Sequence, residues 1–208
     1  PMKSIREIYK IGKGPSSSHT MGPERAAKLF KETYPQADAF QVILYGSLCK
    51  TGVGHGTDRV VREVLSPAAV EVQFSQQTLE GSHPNTMDLI ALKDGNPIGQ
   101  MRVESIGGGD IRIPGSREAE SEEIYIEHSF AEIADFCKWR YISTLSEYVE
   151  LNEGHEIWDF LMEVWLTMKR SIDEGLNKTG ILPGGLNVQR KAKYLYEQVP
   201  EEDVPALK

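Results

Sequence analysis

Hydrophobic and polar positions alternate in short stretches over the first part of the chain. Apolar residues recur at helical spacing from Pro23 to about Tyr34 and from Thr57 to about Leu65, which predicts two short helices. Strand-like alternation or β-branched enrichment predicts four strands, which are FQVILYGS at 40–47, VEVQF at 70–74, DLIALKD at 88–94 and IGQMRVESIG at 98–107. The turn sequence DGN at 94–96 joins the last two strands as a hairpin.

After Ser116 the pattern changes to long helical periodicity. Apolar residues keep a helical spacing over 129–151 and over 156–176, with a break at 152–154, and this predicts two long helices. A Gly- and Pro-rich connector then leads into another helical segment. We therefore predict an α/β fold, in the α+β sense of a mixed sheet, over residues 1–116 and a helical extension over residues 117–208.

The composition is that of a globular protein with many acidic residues. The chain has 208 residues, 39% of them hydrophobic, and a net charge of −8, which argues against a nucleic-acid partner. No apolar run is long enough to span a bilayer and no signal pattern opens the chain, so we expect a cytoplasmic protein without a membrane partner. The two cysteines, Cys49 and Cys137, are too few for a disulfide framework and predict buried thiols.

A run of hydroxyl residues with one histidine stands just before the first predicted helix and consists of Ser16, Ser17, Ser18, His19 and Thr20. Pro23 suits the first helical position, with Gly22 as the cap. The serine amides and hydroxyls would then lie at the positive end of the helix dipole, which suits a carboxylate or phosphate. The alternative is that the hydroxyls only satisfy local backbone groups, and the run alone leaves both interpretations open.

A second polar loop is predicted at the end of the first strand. His55 lies between Gly54 and Gly56, directly before a helix start at Thr57 and Asp58. Neighbours without side chains allow a ligand to approach the backbone closely. Further candidate positions at predicted strand ends are Asn85 in HPNTM and Ser105, Gly107 and Gly108 in SIGGGDI. We expect these loops to converge on one site.

These motifs together resemble one enzyme family. The segments YKIGKGPSSSHTMGP, LYGSLCKTGVGHGTD, HPNTM, SIGGG and PGGLNVQRKA are similar, in this order, to those of the iron-sulfur-dependent L-serine dehydratases, also called L-serine ammonia-lyases. The resemblance covers nearly the whole chain and implies conversion of L-serine to pyruvate and ammonia with a 4Fe-4S cluster and without pyridoxal phosphate. It also implies an N-terminal β domain that resembles the allosteric substrate-binding domain of a class of phosphoglycerate dehydrogenases, and a helical catalytic α domain that begins near PGGLNVQRKA.

The chain departs from the family pattern in its cysteines. The family's cluster ligands lie further downstream, and neither Cys49 nor Cys137 falls at a matching position. An iron-sulfur cluster needs a set of thiolate ligands that two separate cysteines do not supply. The resemblance therefore implies that this chain alone binds no cluster and is inactive. It is either the N-terminal portion of a longer enzyme or the partner of a chain that carries the catalytic α domain. The amphipathic helices also suggest a homo-oligomer.

The chemistry of serine dehydration assigns roles to the candidate residues. The reaction removes the α-proton, expels the β-hydroxyl and requires a clamp on the carboxylate. A base that works near neutral pH is most simply a histidine, and His55 is the candidate, with Asp58 near enough in sequence to orient it. The predicted substrate-binding residues are Ser16, Ser17, Ser18, His19, Thr20, Gly54, Thr57, Asp58, Asn85, Ser105, Gly107 and Gly108. We predict no metal ligand in this chain.

Two functions of other classes remain open at this point. A free-standing module would use the same loops to bind an amino acid or a small anion without chemistry. A serine hydrolase would use Ser17 or Ser18 with a histidine, but no G-x-S-x-G motif is present. In addition, a serine that is adjacent to its histidine in sequence is expected to be poorly placed to face it.

Overall fold

The computed structural model describes residues 2–14, 16–116, 123–183 and 187–200. The elements in chain order are β1 (Met2–Lys3), a 3₁₀ turn (Ile5–Glu7), α1 (Met21–Thr33), β2 (Ala39–Leu44), α2 (Gly46–His55), α3 (Thr57–Leu65), β3 (Ala69–Phe74), β4 (Thr86–Lys93), β5 (Asn96–Gly107), β6 (Asp110–Arg112), β7 (Glu123–Tyr125), α4 (Phe130–Arg140), α5 (Leu145–Glu153), α6 (Ile157–Asn177) and α7 (Ala192–Glu197).

The described residues fall into two compact units. The first unit has helices packed on one sheet and is here named the sandwich unit; it comprises the described residues of Gly12–Glu118 and Leu182–Val188. The second is here named the helical unit and comprises the described residues of Pro1–Ile11, Ala119–Ile181 and Gln189–Lys208. The first residues of the chain therefore belong to the same unit as the later helices. The predicted division at Ser116 had grouped them with the sheet. The start of the predicted extension, 117–122, lies outside the described residues.

The sandwich unit is built on a mixed five-stranded sheet with the strand order β3-β2-β4-β5-β6. β2 and β3 are parallel, whereas β4 pairs antiparallel with both β2 and β5. The predicted hairpin turn joins β4 to β5, with Asp94 and Gly95 at positive φ. The predicted α/β fold with a mixed sheet is confirmed.

The core of the sandwich unit lies between this sheet and the helices α1 and α3. Every second residue of β2 is buried, and β4 buries Met87, Leu89 and Ala91 in the same alternating way. From the helices, Phe30 and Leu65 are fully buried in the same cluster. In β2 and β4 every second side chain is buried, and in α1 and α3 the buried side chains recur at helical spacing. Both patterns follow the hydrophobic pattern of the sequence.

The helical unit differs from the prediction at one point. The single helix predicted over 129–151 is two helices, because Tyr141 adopts the left-handed conformation at φ 57° and ends α4. The hydroxyl oxygen of Thr144 then accepts a hydrogen bond from the Glu147 amide at 3.2 Å and caps α5. The helix predicted over 156–176 is confirmed as α6. No helix among the residues that the structure describes is long and apolar enough to cross a membrane.

Candidate functional site

The serine-rich run forms a turn that continues directly into α1. The carbonyl oxygens of Ser16 and Ser17 accept hydrogen bonds from the amides of Thr20 and Gly22 at 2.8 and 2.9 Å. Helical geometry therefore begins before the predicted start at Pro23, and these two amides are already occupied. The Thr20 hydroxyl is buried, with the carbonyl oxygens of Lys13 and Ser16 each 2.6 Å away as acceptors. Thr20 thus stabilises the turn and offers no free donor to a ligand.

His19 lies at the centre of a cluster of hydroxyl groups. Its Nδ1 atom is 3.1 Å from Ser16 Oγ and 3.0 Å from Ser18 Oγ, and its Nε2 atom is 3.1 Å from Ser47 Oγ and 2.9 Å from Thr51 Oγ1. The contact with Ser18 corrects the expectation that adjacent serine and histidine side chains do not face one another. All four of these groups are hydroxyls, so neither ring nitrogen has, among the described residues, the carboxylate partner of a hydrolase triad.

The neighbouring hydrogen bonds favour one placement of the hydrogen on His19. When Thr51 Oγ1 donates its only proton to the Ser47 carbonyl at 2.9 Å, it accepts from His19, and Nε2 carries the hydrogen. In the neutral ring Nδ1 is then an acceptor for Ser16 or Ser18. Burial, and next the charge of the neighbouring His55, lower the pKa of His19 below its ordinary value. His19 is therefore a neutral, oriented imidazole near neutral pH.

His55 is the last residue of helix α2 and does not lie in a loop as the glycines predicted. Its Nδ1 atom lies 2.9 Å from the Thr51 carbonyl oxygen, so Nδ1 must carry the donated hydrogen. Its ring lies 4.6 Å from the His19 ring, centroid to centroid. Within the described part of the chain, Nε2 of His55 has no hydrogen-bond partner, and in the neutral ring it carries the free lone pair of a base.

Two residues next to His55 have structural roles. Gly56 takes the left-handed conformation at φ 76°, which lets α3 begin immediately after α2. Thr57 is fully buried, and its hydroxyl donates to the His19 carbonyl oxygen at 2.6 Å. Thr57 was predicted to bind substrate, but its hydroxyl instead joins α3 to the serine-rich turn.

The remaining predicted residues of this segment flank His55 on the two helices. Gly54 lies in the last turn of α2 and Asp58 in the first turn of α3. Asp58 forms no hydrogen bond to His55 among the described residues, where the Thr51 carbonyl is the partner of the ring instead. The Thr51 carbonyl, and not Asp58, is therefore the hydrogen-bond partner of the His55 ring.

Asn85 and Ser105 lie together beside α1. The Ser105 amide donates to the Asn85 carbonyl oxygen at 2.9 Å. Asn85 Oδ1 and Ser105 Oγ are buried and have no hydrogen-bond partner among the described residues. Ser105 also packs against Gly22, where a Cβ atom would lie 2.0 Å from Ser105 Oγ. The loop before β4 contacts Ser47, because the Ser47 amide donates to the Pro84 carbonyl oxygen at 2.7 Å. This loop is therefore linked to His19 through Ser47.

Gly107 ends strand β5, and Gly108 lies in the turn between β5 and β6. Both have positive φ, at 105° and 60°, and their backbones face open space. Asp110, just after this turn, pairs with Arg25 of α1 at 2.9 Å. The turn therefore lies near α1, although the structure gives these two glycines no contact with His19 or His55.

Ser47 and Thr51 are site residues that the sequence analysis missed. Both lie on α2 and contact His19, and both line an open cleft of about 910 Å³. The cleft lies beyond the carboxyl ends of the parallel strands β2 and β3, a usual place for ligand sites in such sheets. The sequence contains a signal for these two residues in their spacing. Ser47, Thr51 and His55 follow one another at intervals of four residues and share one face if the segment is helical.

The described residues do not fit an iron-sulfur cluster. Among them, no group of three or more His, Cys, Asp or Glu side chains is placed to hold a metal ion. Cys49 lies on α2 in the sandwich unit and Cys137 on α4 in the helical unit, and both are free thiols of intermediate exposure. Neither is the buried thiol that the sequence predicted.

Comparison with known proteins identifies the N-terminal region. Residues 4–71, which include the serine-rich turn, α2 and α3, match the family model described as serine dehydratase beta chain. Residues 4–71 form a serine dehydratase beta-chain region. His19, Ser47, Thr51 and His55 all lie inside this beta-chain region.

Similarity to L-serine dehydratases extends beyond the beta-chain region. The chain is 28% identical to L-serine dehydratase of Streptomyces coelicolor, in an alignment that covers 97% of the chain and 56% of the relative. It is 29% identical to L-serine dehydratase TdcG of Escherichia coli, covering 97% and 55%, and 30% identical to L-serine dehydratase of Haemophilus influenzae, covering 94% and 54%. The chain thus spans just over half the length of these relatives.

Proposed function

We propose that this chain supplies proton-transfer and substrate-binding residues to an L-serine dehydratase, which converts L-serine to pyruvate and ammonia. One observation carries the proposal: the beta-chain region holds two histidines whose rings lie 4.6 Å apart with a tilt of 32°, and His55 keeps Nε2 without a partner among the described residues. The names of the relatives supply the substrate class. A half-exposed imidazole with one fixed nitrogen and one free nitrogen suits a general base.

In the proposed reaction, Nε2 of His55 accepts the α-proton of L-serine. The electron pair of the Cα–H bond forms the Cα=Cβ double bond, and the Cβ–O bond breaks with its electron pair on oxygen. The departing hydroxide takes up one proton, which balances the α-proton held by His55, and leaves as water. The resulting enamine becomes an imine, which water hydrolyses to pyruvate and ammonia. We assign no group of this chain to the departure of the β-hydroxyl, because the hydroxyl groups near His19 are weak acids.

The serine-rich turn would hold the substrate carboxylate. Nδ1 of His19 has one lone pair, but two hydroxyls, those of Ser16 and Ser18, lie within hydrogen-bond distance of it. Only one of them can donate fully to Nδ1, and the other has a long contact to it, 3.4 Å between the two Oγ atoms, which it can exchange for a carboxylate oxygen. Ser17 has no side-chain hydrogen bond among the described residues and is the third donor. The roles of Asn85, Ser105, Gly107 and Gly108 stay predictions of the sequence.

The cofactor and partner remain part of the proposal. A 4Fe-4S cluster, if the enzyme uses one, would be held outside the residues described here, since Cys49 and Cys137 do not fit it. We propose that a cluster-bearing catalytic region is the partner of this chain. The cytoplasmic location and the homo-oligomer stay predictions of the sequence.

Steady-state kinetics of the assembled dehydratase test the proposal. His55→Ala and His55→Asn should lower kcat by about 10²- to 10⁴-fold, the usual range for a general base, while the KM for L-serine changes little. Ser17→Ala should mainly raise KM, because a carboxylate donor holds ground state and transition state alike. All variants are compared at equal iron content. Normal kcat in both His55 variants would remove His55 from the mechanism.

A second function is favoured by the hydroxyl groups around His19. Four hydroxyls on one neutral imidazole, together with an open cleft, suit binding of an amino acid without chemistry. Calorimetric titration of the 208-residue chain with L-serine, together with the kinetics of His55→Asn in the assembled dehydratase, separates the two functions. A regulatory module binds L-serine and leaves catalysis unaffected by His55→Asn, whereas the proposed dehydratase role requires the loss of kcat.

A further inference from the structure

Thr51 contacts both histidines of the candidate site through different atoms. Its hydroxyl oxygen lies 2.9 Å from Nε2 of His19, and its carbonyl oxygen lies 2.9 Å from Nδ1 of His55. The same hydroxyl donates to the Ser47 carbonyl oxygen at 2.9 Å. The sequence analysis assigned Thr51 no role.

Helix geometry makes this double contact possible. Ser47, Thr51 and His55 follow one another at intervals of four residues on α2, so they lie along one face of the helix. A threonine hydroxyl that donates to the carbonyl four residues earlier is held in one rotamer. The backbone carbonyl of Thr51 lies one turn before the His55 side chain, and because a carbonyl oxygen has two lone pairs it can accept from the His55 ring as well as from a backbone amide.

The contacts fix the hydrogen of His55 and favour one placement of the hydrogen of His19. A carbonyl oxygen can only accept, so the His55 ring must donate from Nδ1. The Thr51 hydroxyl has a single hydrogen, and when this goes to the Ser47 carbonyl, the Thr51 oxygen accepts from Nε2 of His19.

We propose that Thr51 is a positioning residue that fixes both imidazoles, holding the hydrogen of His19 on Nε2 and the hydrogen of His55 on Nδ1. The unprotonated Nε2 of His55 is thereby kept for a substrate proton. The catalytic consequence of this arrangement rests on the proposed function, whereas the placement of the hydrogens does not.

Nitrogen-15 NMR of the histidine rings tests the placement directly in the unsubstituted chain. The two rings are assigned by the signals lost in His19→Gln and His55→Gln. We expect neutral His55 to carry its hydrogen on Nδ1 and neutral His19 to carry it on Nε2. A His55 ring with the hydrogen mainly on Nε2 would overturn the proposal, and this measurement needs no variant of Thr51.

Variants of Thr51 test the side-chain contact. Thr51→Val keeps the shape and the carbonyl but removes the acceptor for His19, and Thr51→Ser restores a hydroxyl. Because an acceptor stabilises the doubly protonated ring most, the pKa of His19 should fall further in Thr51→Val and return in Thr51→Ser. His55 should keep its hydrogen on Nδ1 in both. An unchanged His19 titration in folded Thr51→Val would contradict the proposal.

Thr33→Val is the matched control. The Thr33 hydroxyl also donates to the carbonyl four residues earlier, that of Leu29, at 2.7 Å on an exposed part of α1. This variant removes the same kind of hydrogen bond and should leave both histidine titrations unchanged. If Thr51→Val does not fold, the ring nitrogens of the unsubstituted chain still decide the proposal.

Kinetics of the assembled dehydratase separate this inference from the proposed function. Because Thr51→Val keeps the carbonyl that holds the His55 ring, it should lower kcat by less than the His55 variants do, and Thr51→Ser should recover any loss. If the ring nitrogens are as expected but kcat is normal in both His55→Ala and His55→Asn, Thr51 orients the rings and the proposed catalytic role of His55 fails.

Discussion

Gly22→Ala should destabilise the sandwich unit through a single contact. Gly22 is buried in the first turn of α1, and a Cβ atom there would lie 2.0 Å from Ser105 Oγ and 2.8 Å from Ser105 Cβ. Real Cβ contacts are essentially never below 3.0 Å. Because Ser105 is 1% exposed and sits in strand β5, it cannot rotate into solvent, and helix and strand must separate.

The magnitude follows from two opposing effects. Overpacking a buried site costs about 1–3 kcal/mol, and the better helix propensity of alanine recovers at most about 1 kcal/mol. A net loss of about 1–2 kcal/mol is therefore expected. Gly14→Ala is the matched control in the same unit, since no atom lies within 4 Å of its Cβ position, and it should change stability by no more than about 0.5 kcal/mol.

The assay is urea unfolding followed by amide signals of the sandwich core, such as Val103. Ser105→Gly removes both clashing atoms, so it should rescue much of the loss caused by Gly22→Ala. The double variant should show a favourable coupling of about 1 kcal/mol or more relative to the two single variants. If Gly22→Ala matches Gly14→Ala, or if the two substitutions are additive, helix α1 does not pack on Ser105 as described.

Two further predictions concern pH and stability. Burial alone would raise the pKa of Glu153, but hydrogen bonds from the Ser4 hydroxyl, the Ile5 amide and the Tyr125 hydroxyl hold it below its ordinary value. This stabilisation is present above about pH 4.5 and is lost as the pH falls through the lowered pKa. Glu153→Gln should therefore lower the free energy of unfolding by about 1–3 kcal/mol at pH 7 and by less in acid. Glu174 forms an exposed pair with Lys178, so the control Glu174→Gln should lower it by at most about 0.5 kcal/mol. Equal effects of the two substitutions in urea unfolding would contradict the contacts of Glu153. For His19, whose pKa is lowered from 6.5, the unfolded state takes up the proton first, so stability should fall as the pH drops below 6.5 and level off below the lowered pKa. His19→Gln should remove this slope, and an unchanged slope would refute the burial of a neutral ring.

Strands β2 and β4 and helix α1 were predictable because their burial follows one local period. Strands β1, β6 and β7 were not predicted, since two or three residues are too few to show a period. Helix α2 was not, because four glycines between 46 and 56 weaken helix propensity. Tertiary packing overrides that weakness: Leu48 is fully buried, and a Cβ atom at Gly52 would contact Thr57 and Phe74 at 3.3–3.5 Å. The break between α4 and α5 was missed for a similar reason, since a left-handed tyrosine at position 141 is uncommon.

The candidate site was predictable in its residue types and less so in their roles. The sequence placed His19, His55 and the serines near one another, and the structure brings their side chains into contact. It did not distinguish hydroxyls that are free from those that bond to the backbone, as Thr20 and Thr57 do. That distinction depends on partners up to 38 residues away, which no local motif encodes.

The central claim is that Nε2 of His55 takes the α-proton of L-serine, and chemical rescue tests it most directly. The assembled dehydratase with His55→Ala is assayed for pyruvate formation in the presence of imidazole and of substituted imidazoles of different pKa. Added base should restore part of the turnover, and the restored rate should rise with base strength, as general-base catalysis requires. Turnover close to that of the parent without any added base, or a loss that no imidazole restores in a variant that still binds L-serine, would contradict the claim.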